Sequence, residues 1–399
     1  MREKKRIIAA CCITFVATVV ITLGFMSAFN VGIGDRVFVS LTEYENVKGE
    51  AAKYNTLEEL YQFLEENYYT DLKDDDLMTG IYKGLFSGTG DPYTRYLTEE
   101  EYRTLTESYS GKFDGIGVTM SASDEGNIEV ISVIDDSPAQ KAGIRDGDII
   151  VAIENVRYTG AELREATNVL RGKKGTRVKV TINRNGTPFD YNIVREPISD
   201  QSVFGEIRED NIGYIRITSF NTNTADQFEE ELKRLEKAGV DGLIIDLRSN
   251  GGGLVNQSLK IADLLIDEGV IVYMENGKGE KTYQKASPGR TPLEYVVLVN
   301  GGSASASEIL VAGIQGNKEG KIIGTQTYGK GITQNTWKLK NGSGIEITVS
   351  QYFAPDGTVI HKKGITPDLV VELEETDVVD GYVTNDRQLE AAVKEIKEN

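Results

Sequence analysis

Short runs of consecutive apolar residues, each bounded by glycine or a polar turn, recur through the second half of this 399-residue chain. Gly242-Leu243-Ile244-Ile245-Asp246-Leu247 and Val296-Val297-Leu298-Val299 are the clearest, and Lys321-Ile322-Ile323-Gly324 follows them. A strand with one solvated face alternates apolar and polar, whereas a strand covered on both faces is apolar throughout. Helical patterns over residues 224–238, 254–267 and 306–315 separate these runs, and a further strand is expected at 213–217. This alternation predicts an α/β core with a largely parallel sheet. We assign it residues 199–385, with a charged helix over 386–399 after it.

The preceding segment has another texture. Gly117-Val118-Thr119-Met120, Ile128-Glu129-Val130-Ile131-Ser132-Val133, Asp148-Ile149-Ile150-Val151-Ala152-Ile153 and Arg177-Val178-Lys179-Val180-Thr181-Ile182 are strand patterns bounded by turn residues. Helical segments at 138–142 and 160–171 interrupt them. Residues 113–198 therefore read as a second, small domain. Residues 35–112 read as a helical region, with helices over 56–68, 71–86 and 98–109. Thr56 and Glu59 have the spacing of a capping box.

Residues 7–29 carry no charge, and 23 residues of helix span about 34 Å, enough for a bilayer core. Arg2, Lys4, Lys5 and Arg6 precede them. Residues 1–34 are thus expected to be an uncleaved, single-pass transmembrane helix with a cytoplasmic stub and the body outside the cell membrane. A cleaved signal peptide is the alternative, for which Met26-Ser27-Ala28 is a poor cleavage site. The net charge is −18 despite that basic start. An acidic body repels phosphate backbones, which argues against nucleic acid as a partner. Both cysteines, Cys11 and Cys12, lie inside the apolar run, so the body has neither a disulfide framework nor a Cys-based metal site. The one histidine is His361, and H-E-x-x-H is absent, so no metal and no cofactor are expected.

Three segments have the residues for chemistry. Gly301-Gly302-Ser303-Ala304-Ser305-Ala306-Ser307-Glu308 joins an expected strand to an expected helix. A serine there faces free N–H groups and the positive end of a helix, suited to nucleophilic attack; a plain helix cap is the competing reading. Asp246-Leu247-Arg248-Ser249-Asn250-Gly251-Gly252-Gly253 makes a similar turn, either an oxyanion-hole strand or a tight turn, and fits no nucleotide-binding fingerprint. Thr327-Tyr328-Gly329-Lys330-Gly331-Ile332-Thr333-Gln334 sets a lysine between glycines. Burial would depress its pKa and make it a base; an exposed turn lysine is the alternative. His361 lies in a polar turn, Val359-Ile360-His361-Lys362-Lys363-Gly364, and is a weak candidate for a Ser–His pair.

Together the three segments resemble the C-terminal processing (tail-specific) peptidases of family S41. Asp91-Pro92-Tyr93 resembles that family's D-P-Y element. Phe113-Asp114-Gly115-Ile116-Gly117-Val118 and Ser137-Pro138-Ala139 resemble a PDZ domain, and Gly364-Ile365-Thr366-Pro367-Asp368 the closing G-I-x-P-D. The resemblance covers about residues 55–372. It implies a protease core with a ClpP/crotonase-like sheet and helices, plus a PDZ domain. It implies Ser305 as nucleophile, Lys330 as general base and Gln334 as the residue orienting the lysine. Gly252, Gly253 and the Ala306 N–H would form the oxyanion hole. Gly115, Ile116, Gly117 and Val118 would receive a substrate tail, with Ile116 and Val118 lining an apolar pocket. Arg164 would link the PDZ domain to the core; an ordinary solvated arginine is the alternative. Where many relatives carry an acidic residue after the nucleophile helix, this chain has Gly316.

The expected function is that of a membrane-anchored, extracytoplasmic serine endopeptidase acting on proteins with free C-terminal tails. A homodimer through the N- and C-terminal helices is a further expectation. The rival readings are a non-catalytic tethered PDZ module and a Ser–His esterase using His361.

Overall fold

A computed structural model of the chain describes all residues except 1, 29–31, 34–35, 38–40, 53, 124, 135, 200, 375–376, 380–381, 384 and 399. The expected element ends at Phe29 and Asn399 therefore lie outside the described residues. The chain divides into two units, Met1–Ile81 and Tyr82–Asn399. In the first, helix α1 (Arg2–Ala28) contains a stretch, Glu3–Phe25, that is long and apolar enough to cross a membrane and is unburied by protein. A two-strand hairpin, β1 (Gly32–Ile33) and β2 (Arg36–Val37), leads to α2 (Leu41–Ala52) and α3 (Asn55–Asn67). Helix α4 (Asp74–Ser87) runs on into the second unit. The expected capping box at Thr56 does not form. Asn55 is already helical and Tyr54 stands at the N-cap without a side-chain bond, so Thr56 sits inside the first turn, where it cannot cap. The box appears instead at Thr98 and Glu101.

The second unit continues with β3 (Arg95–Leu97) and α5 (Glu99–Ser110). A small β domain follows: β4 (Lys112–Gly115), β5 (Val118–Ala122), β6 (Ile128–Val133), α6 (Pro138–Ala142), β7 (Ile149–Ile153), β8 (Val156–Arg157), α7 (Leu163–Leu170), β9 (Arg177–Arg184), β10 (Thr187–Val194) and β11 (Glu196–Ser199). Its main sheet runs β10-β9-β7-β6-β5, so β5 is an edge, while β4 pairs with β11. Alternating residues such as Val178, Val180 and Ile182 point into a core shared with Ile128, Ile150, Ala166 and Leu170. Arg195, buried by this domain, donates to the carbonyls of Val169 and Leu170 and so closes the end of α7.

The larger core holds β12 (Val203–Ile207), β13 (Gly213–Ile217), α8 (Thr224–Ala238), β14 (Leu243–Asp246), α9 (Val255–Leu265), β15 (Gly269–Asn276), β16 (Lys281–Ala286), β17 (Tyr295–Val299), α10 (Ala306–Asn317), β18 (Lys321–Gly324), β19 (Ile332–Lys338), β20 (Gly344–Phe353), β21 (Leu369–Val370) and α11 (Arg387–Glu398). Its sheet runs β12-β13-β14-β17-β18-β21, parallel except for β12. Leu243, Ile245, Val297 and Val299 face α8, α9 and α10 in one apolar cluster. Ile244, Val296 and Leu298 face Ala392 and Ile396 of α11 in another. Burial on both faces explains why these strands are apolar throughout. A second sheet, β16-β15-β20-β19 with β3 added on β20, was not foreseen. Of its outer strands, β16 is largely exposed and β19 has no buried residue, and both are mixed in composition, so their alternation is blurred.

Candidate active site

Strands β14, β17 and β18 are neighbours, and the segments with candidate chemistry leave their carboxyl ends. That is where open parallel sheets assemble sites. Asp246 ends β14, and its carboxylate is gripped by Arg248, with Nη2 to Oδ2 at 2.6 Å; Arg248 also reaches Asp386 at 2.8 Å and so ties this turn to the start of α11. Tyr214 donates to the same carboxylate at 2.6 Å.

The Ser305 turn is braced from several directions. Ser303 Oγ donates to the Leu247 carbonyl at 2.8 Å, Ala304 N to the Asn250 carbonyl at 3.0 Å, and Ser307 Oγ to that same carbonyl at 2.9 Å. Ser305 itself has φ 58° and ψ −113° at the N-cap of α10. A side-chain-bearing residue in this region stores strain that its surroundings must hold. Gly252 approaches so closely that a Cβ there would come within 2.8 Å of the Ser305 Cβ. Gly253, at φ 141°, would meet the Phe220 carbonyl oxygen at 2.2 Å. Both positions demand glycine.

Glu308 is the residue that sequence reasoning quoted without a role. It is fully buried in α10. Its Oε2 accepts from Ser305 N at 2.9 Å and Lys330 N at 2.8 Å, and its Oε1 accepts from Thr327 Oγ1 at 2.6 Å and Gly329 N at 2.7 Å. One carboxylate thus fastens the serine turn to the lysine loop. The Ser-x-x-Glu spacing was a capping-box signal, but its long-range partners were not readable. Tyr352, fully buried on β20, is a second unforeseen member. Its hydroxyl donates to the Lys330 carbonyl and also reaches the Ser305 side chain. Burial raises its pKa well above the usual tyrosine value.

Ser305, Lys330, Gln334, Gly252 and Gly253 line one cleft of about 270 Å³, together with Phe220, Tyr109 and Val255. Burial lowers the Lys330 pKa below the ordinary lysine value, helped by Arg95 and opposed by Glu346 and Asp91. Its Nζ stands 4.5 Å from the centre of the Tyr93 ring. Gln334 Nε2 donates to Thr348 Oγ1 at 3.1 Å. The Gly252 N–H donates to Asn250 Oδ1 at 2.9 Å, so of the expected oxyanion donors that one is already engaged. His361 lines a different cleft, with Tyr93 and Tyr328.

In the small domain, Gly115 is paired with Glu196 in the β4–β11 ladder. Ile116 is 2% exposed and packs in the domain core beside β5. Gly117, at φ 82°, turns the chain where a Cβ would strike Ser137. Val118 opens the edge strand β5, and Val118 and Met120 are its half-buried positions. Arg164 is exposed and borders a cleft of about 610 Å³ between α7 and α5, lined also by Arg171, Arg103 and Glu107. At Gly316 a Cβ would lie 2.7 Å from Pro355, so no acidic side chain fits there without displacement.

No metal-binding cluster of three or more His, Cys, Asp or Glu exists among the described residues. The model of peptidase family S41 matches residues 211–371, and that of the PDZ domain residues 115–194. The chain is 38% identical over 325 residues to the carboxy-terminal processing protease CtpA of Bacillus subtilis (strain 168), covering 81% of this chain and 70% of that protein. It is 37% identical over 328 residues to a probable CtpA-like serine protease of Staphylococcus epidermidis (strain ATCC 12228 / FDA PCI 1200), covering 81% of this chain and 66% of that one. The crystal structure of a putative S41 protease from Bacteroides fragilis NCTC 9343 shares the fold, with a TM-score of 0.54 at 15% identity over 83% of this chain and 91% of that one. With a strained serine at a strand-to-helix turn and a PDZ domain ahead of the core, the chain belongs to peptidase family S41, among the carboxy-terminal processing serine proteases.

Proposed function

We propose that this protein is a membrane-anchored, extracytoplasmic endopeptidase that uses Ser305 and Lys330 as nucleophile and base. The observation that carries the reading is one cleft containing a strained, buried serine and a lysine whose charged form burial disfavours. Neutral Lys330 takes the proton of Ser305 Oγ as that oxygen attacks the peptide carbonyl. The resulting ammonium gives the proton to the leaving amine as the C–N bond breaks, which leaves an acyl ester on Ser305. Water then attacks the ester, Lys330 accepts its proton and returns it to Ser305, and the new carboxylate departs. Gly253 and Ala306 N–H groups serve the oxyanion; Gly252 joins them only if Asn250 releases its N–H. Gln334, bonded to Thr348 across the β19–β20 ladder, comes to the amine once it has moved.

The PDZ domain takes a substrate tail as an added strand on β5, with its side chains toward Val118, Met120 and α7. Arg164, facing α5 across a cleft, is the proposed relay to the core. The apolar α1, with Arg2, Lys4, Lys5 and Arg6 ahead of it, supports an anchor with its N-terminus inside the cell and the body outside. The test is digestion of an unfolded substrate by the full-length protein, with the substrate's C-terminus free or amidated. Cleavage that requires Ser305 and Lys330 and slows on amidation supports the reading. Tail binding without cleavage by a folded protein would favour a non-catalytic module.

A further inference from the structure

The Asp91-Pro92-Tyr93 turn enters the active centre from outside the sheet that builds it, and the mechanism above gives it no task. Its geometry is firm. Asp91 Oδ1 accepts from Tyr93 N at 3.0 Å and Oδ2 from Thr94 Oγ1 at 2.7 Å, and Thr94 Oγ1 accepts from Thr348 N at 3.0 Å. The turn is thereby fixed to β20, the strand that also carries Tyr352 and Glu346. The Tyr93 hydroxyl meets that of Tyr328, two residues before Lys330. Held in this way, the Tyr93 ring offers its face to Lys330 Nζ at 4.5 Å. No hydrogen bond to that amine forms among the described residues. Lys330 lines the Ser305 cleft, and a second cleft of about 540 Å³ is bordered by Tyr93, Tyr328 and His361.

We propose that Tyr93 is a positioning residue for Lys330: its ring face seats the amine in the resting enzyme and supports its charge, and so sets the pH at which the base becomes available. The inference rests on Lys330 being the base. A ring quadrupole attracts an ammonium and gives a neutral amine little, so the contact opposes deprotonation. The other influences on the amine pull in both directions, with burial the largest. Glu346 on β20 and Asp91 beside Tyr93 favour the charge, and Arg95 on β3 and burial oppose it. The Glu308 carboxylate of α10 is saturated by backbone and hydroxyl donors. Tyr109 of α5 and Tyr352 stay protonated at neutral pH, burial pushing Tyr109 up to about 12. His361 and Lys362 line the far cleft beyond Tyr93. Tyr93 is thus the contact whose loss would alter the amine while leaving every carboxylate in place. Catalysis requires the amine to leave this seat for Ser305 Oγ.

The experiment measures the rate of Ser305 labelling by a fluorophosphonate against pH, using the full-length protein in detergent. It compares wild type with Tyr93→Phe, Tyr93→Leu and Tyr93→Trp. Phenylalanine keeps the face, leucine removes it, and tryptophan strengthens it. The acidic limb should stay within about 0.2 pH unit of wild type for Phe, fall by about 0.4–1.5 units for Leu, and rise for Trp. If leucine prevents folding, the upward shift with tryptophan carries the test. Equal midpoints in all folded variants, or an equal shift for Phe and Leu, would overturn the role of the ring. A Lys330→Ala protein that keeps the wild-type rate and profile would instead remove the base assignment itself, and the inference with it.

Discussion

The two halves of the active centre are held in opposite ways. Around Ser305 the backbone is fastened by Ser303, Ala304, Ser307 and Glu308, and Ser305 itself is held at φ 58°. The Lys330 backbone is equally fixed, by Glu308 and Tyr352, yet its amine rests on an aromatic face. In the proposed mechanism the nucleophile is thus preorganised and the base is left to move. A rigid serine keeps its attack geometry without reorganisation, and a mobile lysine can switch between charged storage and neutral service.

The comparison can be broken at its strongest points first. Ser305→Ala should abolish turnover while leaving a folded protein, with a stability change of about 1 kcal/mol from the lost cap, as read by thermal melting. Wild-type turnover by that variant would remove the nucleophile. Glu308→Gln should come next, because an amide NH₂ would replace an oxygen that now receives two donors. Lost charge-assisted bonds cost about 3 kcal/mol, so a drop in acylation of more than about a hundredfold is expected, with a lowered melting temperature. If acylation is unchanged, the two halves are not joined through this carboxylate. Tyr352→Phe removes only a hydroxyl and should lower kcat about fivefold at an unchanged KM, the value of about 1 kcal/mol for one hydrogen bond. His361→Ala should be nearly silent, since His361 borders the other cleft.

Much of this arrangement was legible because it is contiguous. Ser305 opens an expected helix after an expected strand, and Lys330 stands between glycines, so each local pattern carried its own signal. The doubly buried strands were readable for the same reason. What failed depends on partners distant in the chain. Tyr352 looks like an ordinary strand tyrosine until the β19–β20 pairing brings it under Lys330. Tyr93 is held beside the lysine because Asp91 accepts from its N–H and Thr94 accepts from Thr348 N, contacts that no periodicity records. The Gly252 N–H was assigned to the oxyanion without knowing that Asn250, two residues back, turns its side chain onto it.

The central claim, that a lysine poised for deprotonation activates a fixed serine, is tested most directly by the pH dependence of Ser305 acylation in wild type and Lys330→Arg. Guanidinium stays charged throughout the accessible range. The account predicts that wild-type labelling rises with pH through one ionisation below the ordinary lysine value, and that the arginine variant stays at background at every pH. Labelling of Lys330→Arg at wild-type rates, or a wild-type limb that disappears in His361→Ala, would contradict it.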